Sequence, residues 1–116
     1  SLFISGRISD GVITAVQGNW QKFMGYTEGD LVGHKYDRDD FIHPDEFERT
    51  KSIQRILRES TGIKETRFST ISRWKHGQTG QYVMLSMVWY ANTAKDRVDI
   101  VAKPIDSFVG STETLN

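Results

Sequence analysis

Cysteine is absent from this 116-residue sequence, and proline occurs only twice. The first absence removes disulfides, thiolate metal sites and thiol nucleophiles together, and it fits an intracellular protein. Neither sign of charge is in excess: Lys plus Arg and Asp plus Glu number 15 each, so the formal net charge is zero. Nothing in that balance recommends DNA or an anionic membrane as a partner. No apolar run approaches the ~20 residues that cross a bilayer. No signal peptide is visible, and the chain begins at Ser1 rather than Met, so it reads as a domain excised from something longer. Histidine is scarce as well. His34, His43 and His76 stand far apart, without the i, i+4 spacing of metal ligands. The acids Asp37, Asp39, Asp40, Asp45, Glu46 and Glu48 lack the glycine and the spacing of a calcium loop. They read as a solvated loop and a helix start. No Gly-rich phosphate loop and no nucleophile elbow occurs. The expectation is a chain with no catalytic residues, no metal and no cofactor.

What is present is a succession of local signals. Hydrophobic residues make up 37% of the chain, enough for one globular domain to bury a core without staples. Ser9-Asp10-Gly11 between Ile8 and Val12-Ile13 signals a hairpin turn. Asn19 is placed to cap a short helix whose Trp20, Phe23 and Met24 share one apolar face, and Gly25 ends it. Thr27 stands three residues before Asp30, as in a capping box, and Gly33 stops that turn. Residues 34–40 are polar and irregular. Pro44 then suits the first position of a longer helix, with His43 at its N-cap. Asp45 and Glu46 lie at its positive end, Arg55 and Arg58 toward the other. Phe47, Thr50, Ile53, Ile56 and Leu57 form its expected buried stripe, and Gly62 its end. Strand-like segments follow at 64–74, 82–92 and 98–102, separated by turns at 75–80 and 92–96. Strands first, helices in the middle and strands last make an α+β domain with one antiparallel sheet.

These signals, in this order, resemble a PAS domain. Gly25-Tyr26 with Asp30-Leu31-x-Gly33, the His43-Pro44-Asp45-Glu46 helix start, Arg67-Phe68, and Gly80-x-Tyr82-Val83-x-Leu85 with Trp89 and Asn92 carry the likeness. It covers roughly residues 3–105 and is greatest to the second PAS repeat of bHLH-PAS factors and Period-type clock or developmental-timing proteins. The connections at 34–42 and 69–79 are longer than is usual there. The resemblance implies a PAS fold: five antiparallel strands, with short helices and one longer helix packed on one face. It implies a single domain over 1–105, with 106–116 as tail or linker. It further implies a signalling role in transcription or biological rhythms, in nucleus and cytoplasm, with another PAS domain as partner. Haem-binding relatives take an axial His from the body of the long helix, which has none here. The flavin adduct of related LOV domains needs a cysteine.

One strand carries most of the functional signal. From Tyr82 to Asn92 both alternating faces are largely apolar. Val83, Leu85, Met87, Trp89 and Ala91 are assigned inward, with Trp89 packed against the long helix. Tyr82, Met84, Ser86, Val88 and Tyr90 are assigned outward. A sheet covered by helices on one side should be polar on the other. Either a flanking segment, such as the tail from Asp106 to Asn116, covers the outer face, or a partner does. The expected interface is therefore Tyr82, Met84, Val88, Tyr90 and Val101, giving homo- or heterodimers. The alternative is a small-molecule sensor with an apolar cavity walled by Phe23, Met24, Ile53, Leu57, Val83, Leu85, Met87 and Trp89.

Overall fold

Turn chemistry sets the first third of the chain. The computed structural model describes residues 1–38, 40–60 and 65–105. Asp39, Gly62 and the 106–116 tail lie outside the described residues. Strands β1 (Leu2–Gly6) and β2 (Ile13–Gln17) form the expected hairpin. Gly11 sits at φ 72°, a left-handed conformation that costs glycine little. The Asp10 carboxylate accepts from Val12 N at 3.0 Å, and Asp96, from the far end of the chain, accepts from Ser9 N and Oγ at 2.7 and 2.6 Å.

The helices start where their caps stand. In α1 (Trp20–Met24) the Asn19 side chain accepts from Lys22 N, and left-handed Gly25 closes the helix. Thr27 and Asp30 make a complete capping box at α2 (Glu28–Leu31). His43 Nδ1 accepts from Asp45 N at 3.1 Å and caps a 3-10 turn, Pro44–Glu46, which leads into α3 (Phe47–Glu59).

Two sequence expectations fail here. The buried stripe of α3 is Thr50, Gln54 and Leu57, with Phe47 and Ile53 partly covered, while Ile56 is 59% exposed. The stripe lies closer to Gln54 because that side chain reaches Ile8 O as a donor. Phe23 is also turned outward, at 45% exposure, although Trp20 and Met24 beside it are buried. α1 is five residues long, too short to bury more than one narrow side.

Strands β3 (Glu65–Lys75), β4 (Tyr82–Asn92) and β5 (Arg97–Pro104) complete a five-stranded antiparallel sheet. Its order is β2-β1-β5-β4-β3, so the first strand lies beside the last. Leu2, Ile4, Leu85, Met87, Trp89, Ala91, Val98, Ile100 and Ala102 point into the core beside Tyr36, Leu31 and Leu57. The strand-facing assignment for β4 is thus correct. Trp20, Phe41 and Trp74 make an aromatic stack at one end of this core, with ring centroids 5.7–6.3 Å apart. No helix of the described residues is long and apolar enough to cross a membrane.

Candidate functional site

The sheet face away from the core is built by the alternate residues of β1, β5, β4 and β3. Register lines them up across the strands: Phe3 opposes Val101, Val101 opposes Val88, and Val88 opposes Ser69. Ile71 stands opposite Ser86, one diagonal step from Val88. Phe3, Ile71, Tyr82 and Tyr90 are 41%, 53%, 40% and 45% exposed, and Met84, Val88 and Val101 are half-buried. All five expected interface residues, Tyr82, Met84, Val88, Tyr90 and Val101, therefore stand on this face. Phe3 and Ile71 extend it. The period of two on β1 and β3 could have found both, but an isolated Phe or Ile among polar neighbours is weak evidence of a surface.

Polar contacts frame this apolar band. Ser5 Oγ donates to Asp99 at 2.6 Å, and Arg97 pairs with the same carboxylate at 3.0 Å. The Arg67 guanidinium lies 5.8 Å from the Tyr90 ring centroid. Arg73 pairs with Glu46 at 3.1 Å and with Asp45 at 3.6 Å. Beside Phe3, Ala15, Asp99 and Val101 runs a groove of about 220 Å³. An apolar centre inside a polar frame is the anatomy of a protein interface.

The expected cavity wall divides. Met24, Leu57, Leu85, Met87 and Trp89 are buried, Val83 and Ile53 partly so, and Phe23 is outside. Trp89 stacks on Phe68 at 5.4 Å and meets Tyr36 edge-on at 5.7 Å, and its Nε1 donates to Thr70 Oγ1 at 2.9 Å. Phe68 links it to α3, because Phe68, Ile53, Ile56 and Leu57 line one shallow groove. Two polar atoms interrupt the interior. Tyr36 Oη and Gln54 Oε1 are buried and have no hydrogen-bond partner among the described residues. Burial pushes the Tyr36 phenol far up, with nearby Asp37 adding to the effect, so it stays protonated. Neither residue was singled out in the sequence, where Tyr36 sits in a polar loop and Gln54 in a run of polar helix residues.

A third region is polar. Tyr26, His34, Arg38, Asp40, Lys75 and His76 surround a groove at the β3–β4 turn. Its charges are already engaged: Arg38 pairs with Asp40 and donates to His34 Nδ1 at 2.9 Å. The bonded Arg38 holds the Asp40 carboxyl below its usual value. Tyr26 is pushed up to about 12 by burial, and its hydroxyl donates to Lys75 O. No group of three His, Asp or Glu side chains that could hold a metal occurs among the described residues.

No family model and no curated protein matches the sequence. Solved structures do match. The PAS-B domain of Drosophila melanogaster Cycle with bound ethylene glycol has a TM-score of 0.72 at 8% identity, over 90% of this chain and 100% of that one. The PAS domain of the Cronobacter turicensis quorum-sensing receptor RpfR, in complex with C12:0, has a TM-score of 0.69 at 12% identity, over 91% and 94%. The same domain in complex with BDSF scores 0.65 at 11% identity over the same shares. The chain has the PAS fold.

Proposed function

We propose that this chain is a non-catalytic PAS interaction module that joins a second PAS domain through its outer sheet face. The partner is a second copy or a homologous domain of another chain. The observation that carries this reading is the aligned band of Phe3, Val101, Val88 and Ile71 with Tyr82, Met84 and Tyr90 around it, left in solvent on the face away from the core. Large apolar and aromatic side chains in one contiguous patch gain most from being covered. A standard interface takes about 800 Å² from each partner, which the outer face of a five-stranded sheet can supply. The motif resemblance and the likeness to Cycle PAS-B favour a regulator of transcription or timing, working in nucleus and cytoplasm. The neutral overall charge gives no support to nucleic-acid contact by this segment.

The test is sedimentation of the wild type against Val88→Glu and Met84→Glu. Wild type should associate at micromolar concentration, while each variant stays monomeric with an unchanged circular dichroism spectrum. A carboxylate buried there without a partner costs several kcal/mol, about a thousand-fold or more in dissociation constant. Wild-type protein that remains monomeric at about 1 mM would remove the homodimer. Co-sedimentation with other PAS domains then decides the heterodimer.

A second reading rests on Tyr36 Oη and Gln54 Oε1, which have no hydrogen-bond partner among the described residues. Buried polar atoms without partners favour a small molecule that supplies a donor and an acceptor between them. Under this reading the domain senses a ligand held among α3, Tyr36 and Trp89. A compound released on denaturation and seen by mass spectrometry would establish it.

A further inference from the structure

The far edge of the sheet is β3, and the chain treats its two halves differently. Ile71 O accepts from Arg49 Nη2 at 2.7 Å, and Arg73 N donates to the Glu46 carboxylate at 2.6 Å. Arg73 O accepts from His43 N at 3.0 Å, and Lys75 N donates to Phe41 O at 2.6 Å. These contacts show that the odd-numbered residues of β3 turn their backbone groups away from β4. The β3–β4 register runs without a shift from Glu65 to Lys75, so Glu65, Arg67 and Ser69 do the same. None of their outward N–H and C=O groups meets a partner among the described residues. An unblunted edge of this kind is a template for another strand.

The open half-edge lies beside the groove between α3 and β3. Ile53, Ile56, Leu57 and Phe68 line it, its volume is about 220 Å³, and its surface is almost wholly apolar. Ile56 stands 59% exposed on its helix wall. A sixth strand paired to Glu65–Ser69 would send alternate side chains into this groove, next to Thr66 and Phe68. The intervening side chains would emerge on the outer face, opposite Glu65 and Arg67. Arg49, bonded to Ile71 O, ends the slot.

We propose that this slot takes an extended segment of a partner protein as an added antiparallel strand. Charge and apolarity specify the segment: an apolar residue opposite Phe68, an acid opposite Arg67, an apolar residue opposite Thr66 and a base opposite Glu65. Directly opposed charges on one sheet face attract, and the backbone ladder supplies affinity independent of sequence. The groove half of the slot lies on the helix side of the sheet, away from the outer-face band, while Arg67, beside Tyr90, borders both.

Fluorescence anisotropy of the full chain with labelled Thr-Ile-Glu-Val-Lys tests this. Saturable binding in the micromolar range is expected. Ile56→Asp and Arg67→Glu should each weaken it about ten-fold or more. For Arg67→Glu, the peptide Thr-Ile-Lys-Val-Lys should restore the lost affinity, which a merely misfolded variant could not do. Ile56 is on the surface, so its variant should keep the wild-type melting curve. It is remote from the outer face, and should leave any self-association intact. No saturation by about 1 mM peptide, binding untouched by either substitution, or equal binding of a scrambled peptide each overturns the proposal.

Discussion

Tyr36 brings its hydroxyl into the interior, 1% exposed, with no hydrogen-bond partner among the described residues. A buried hydroxyl without a partner contributes nothing and loses its hydration. Tyr36→Phe should therefore leave thermal stability within about 1 kcal/mol of wild type or raise it. A loss above about 2 kcal/mol in chemical denaturation would show that the hydroxyl has a bonded guest, and would advance the sensing reading. Asp30 is the opposite case, since its carboxylate accepts from Thr27 N at 2.9 Å. That backbone hydrogen bond, first among the causes, holds its pKa below the usual value. With the folded pKa below the unfolded one, the contribution is present above the unfolded pKa near 3.9 and disappears as pH falls through the folded one. Asp30→Asn should lower stability at pH 7, and that deficit should vanish as pH falls below about 4, so that the acid limb of a stability–pH curve from urea denaturation flattens. Asp30 was legible in the sequence because capping is a local code. Tyr36 was not, because a lone aromatic among charges has no period to betray its burial.

Among the elements, β4 was the easiest to read and α3 the more deceptive. A strand's period of two leaves two facings to choose between, and the run Leu85, Met87, Trp89, Ala91 marked the inner one. Trp89→Ala should cost about 3–5 kcal/mol, because it leaves a void between Phe68 and Tyr36. Thr70→Val keeps the volume and removes the indole's acceptor, so about 1–3 kcal/mol is expected. Both are read from urea denaturation. On α3, Ile56 looked like a core residue because it is apolar and lies three positions from Ile53. Gln54 took the buried place instead, through its bond to Ile8 O, a contact across 46 residues that no helical pattern encodes. The groove beside α3 was invisible for the same reason: its walls come from separate elements. Phe23 fell to the same kind of error, in a helix too short for an apolar spacing to fix its direction.

At the scale of the molecule, the outer face makes a wider prediction than single substitutions. If Phe3, Val88 and Val101 pack as one surface, then Phe3→Ser with Val88→Ser should abolish association while the monomer's melting temperature moves little, as light scattering and calorimetry would show. The opposite pattern would place these side chains in the service of the monomer alone. The sequence order of strands and helices was enough to infer the architecture and the general location of this face, since turns and caps punctuate the chain clearly. The adjacency of β1 to β5 lies beyond such local reading and emerged only with the structure. That adjacency also governs how the chain reaches its structure. Phe3 must find Val101, which stands 98 positions later, before the sheet has a centre. Closing so long a loop is slow, so the domain should fold in milliseconds to seconds rather than microseconds. During synthesis the β1–β2 hairpin emerges first and must wait, unpaired on its inner edge, until β5 has left the ribosome. A nascent chain arrested before residue 97 should therefore remain protease-sensitive throughout, and acquire resistance in a single step once β5 has emerged.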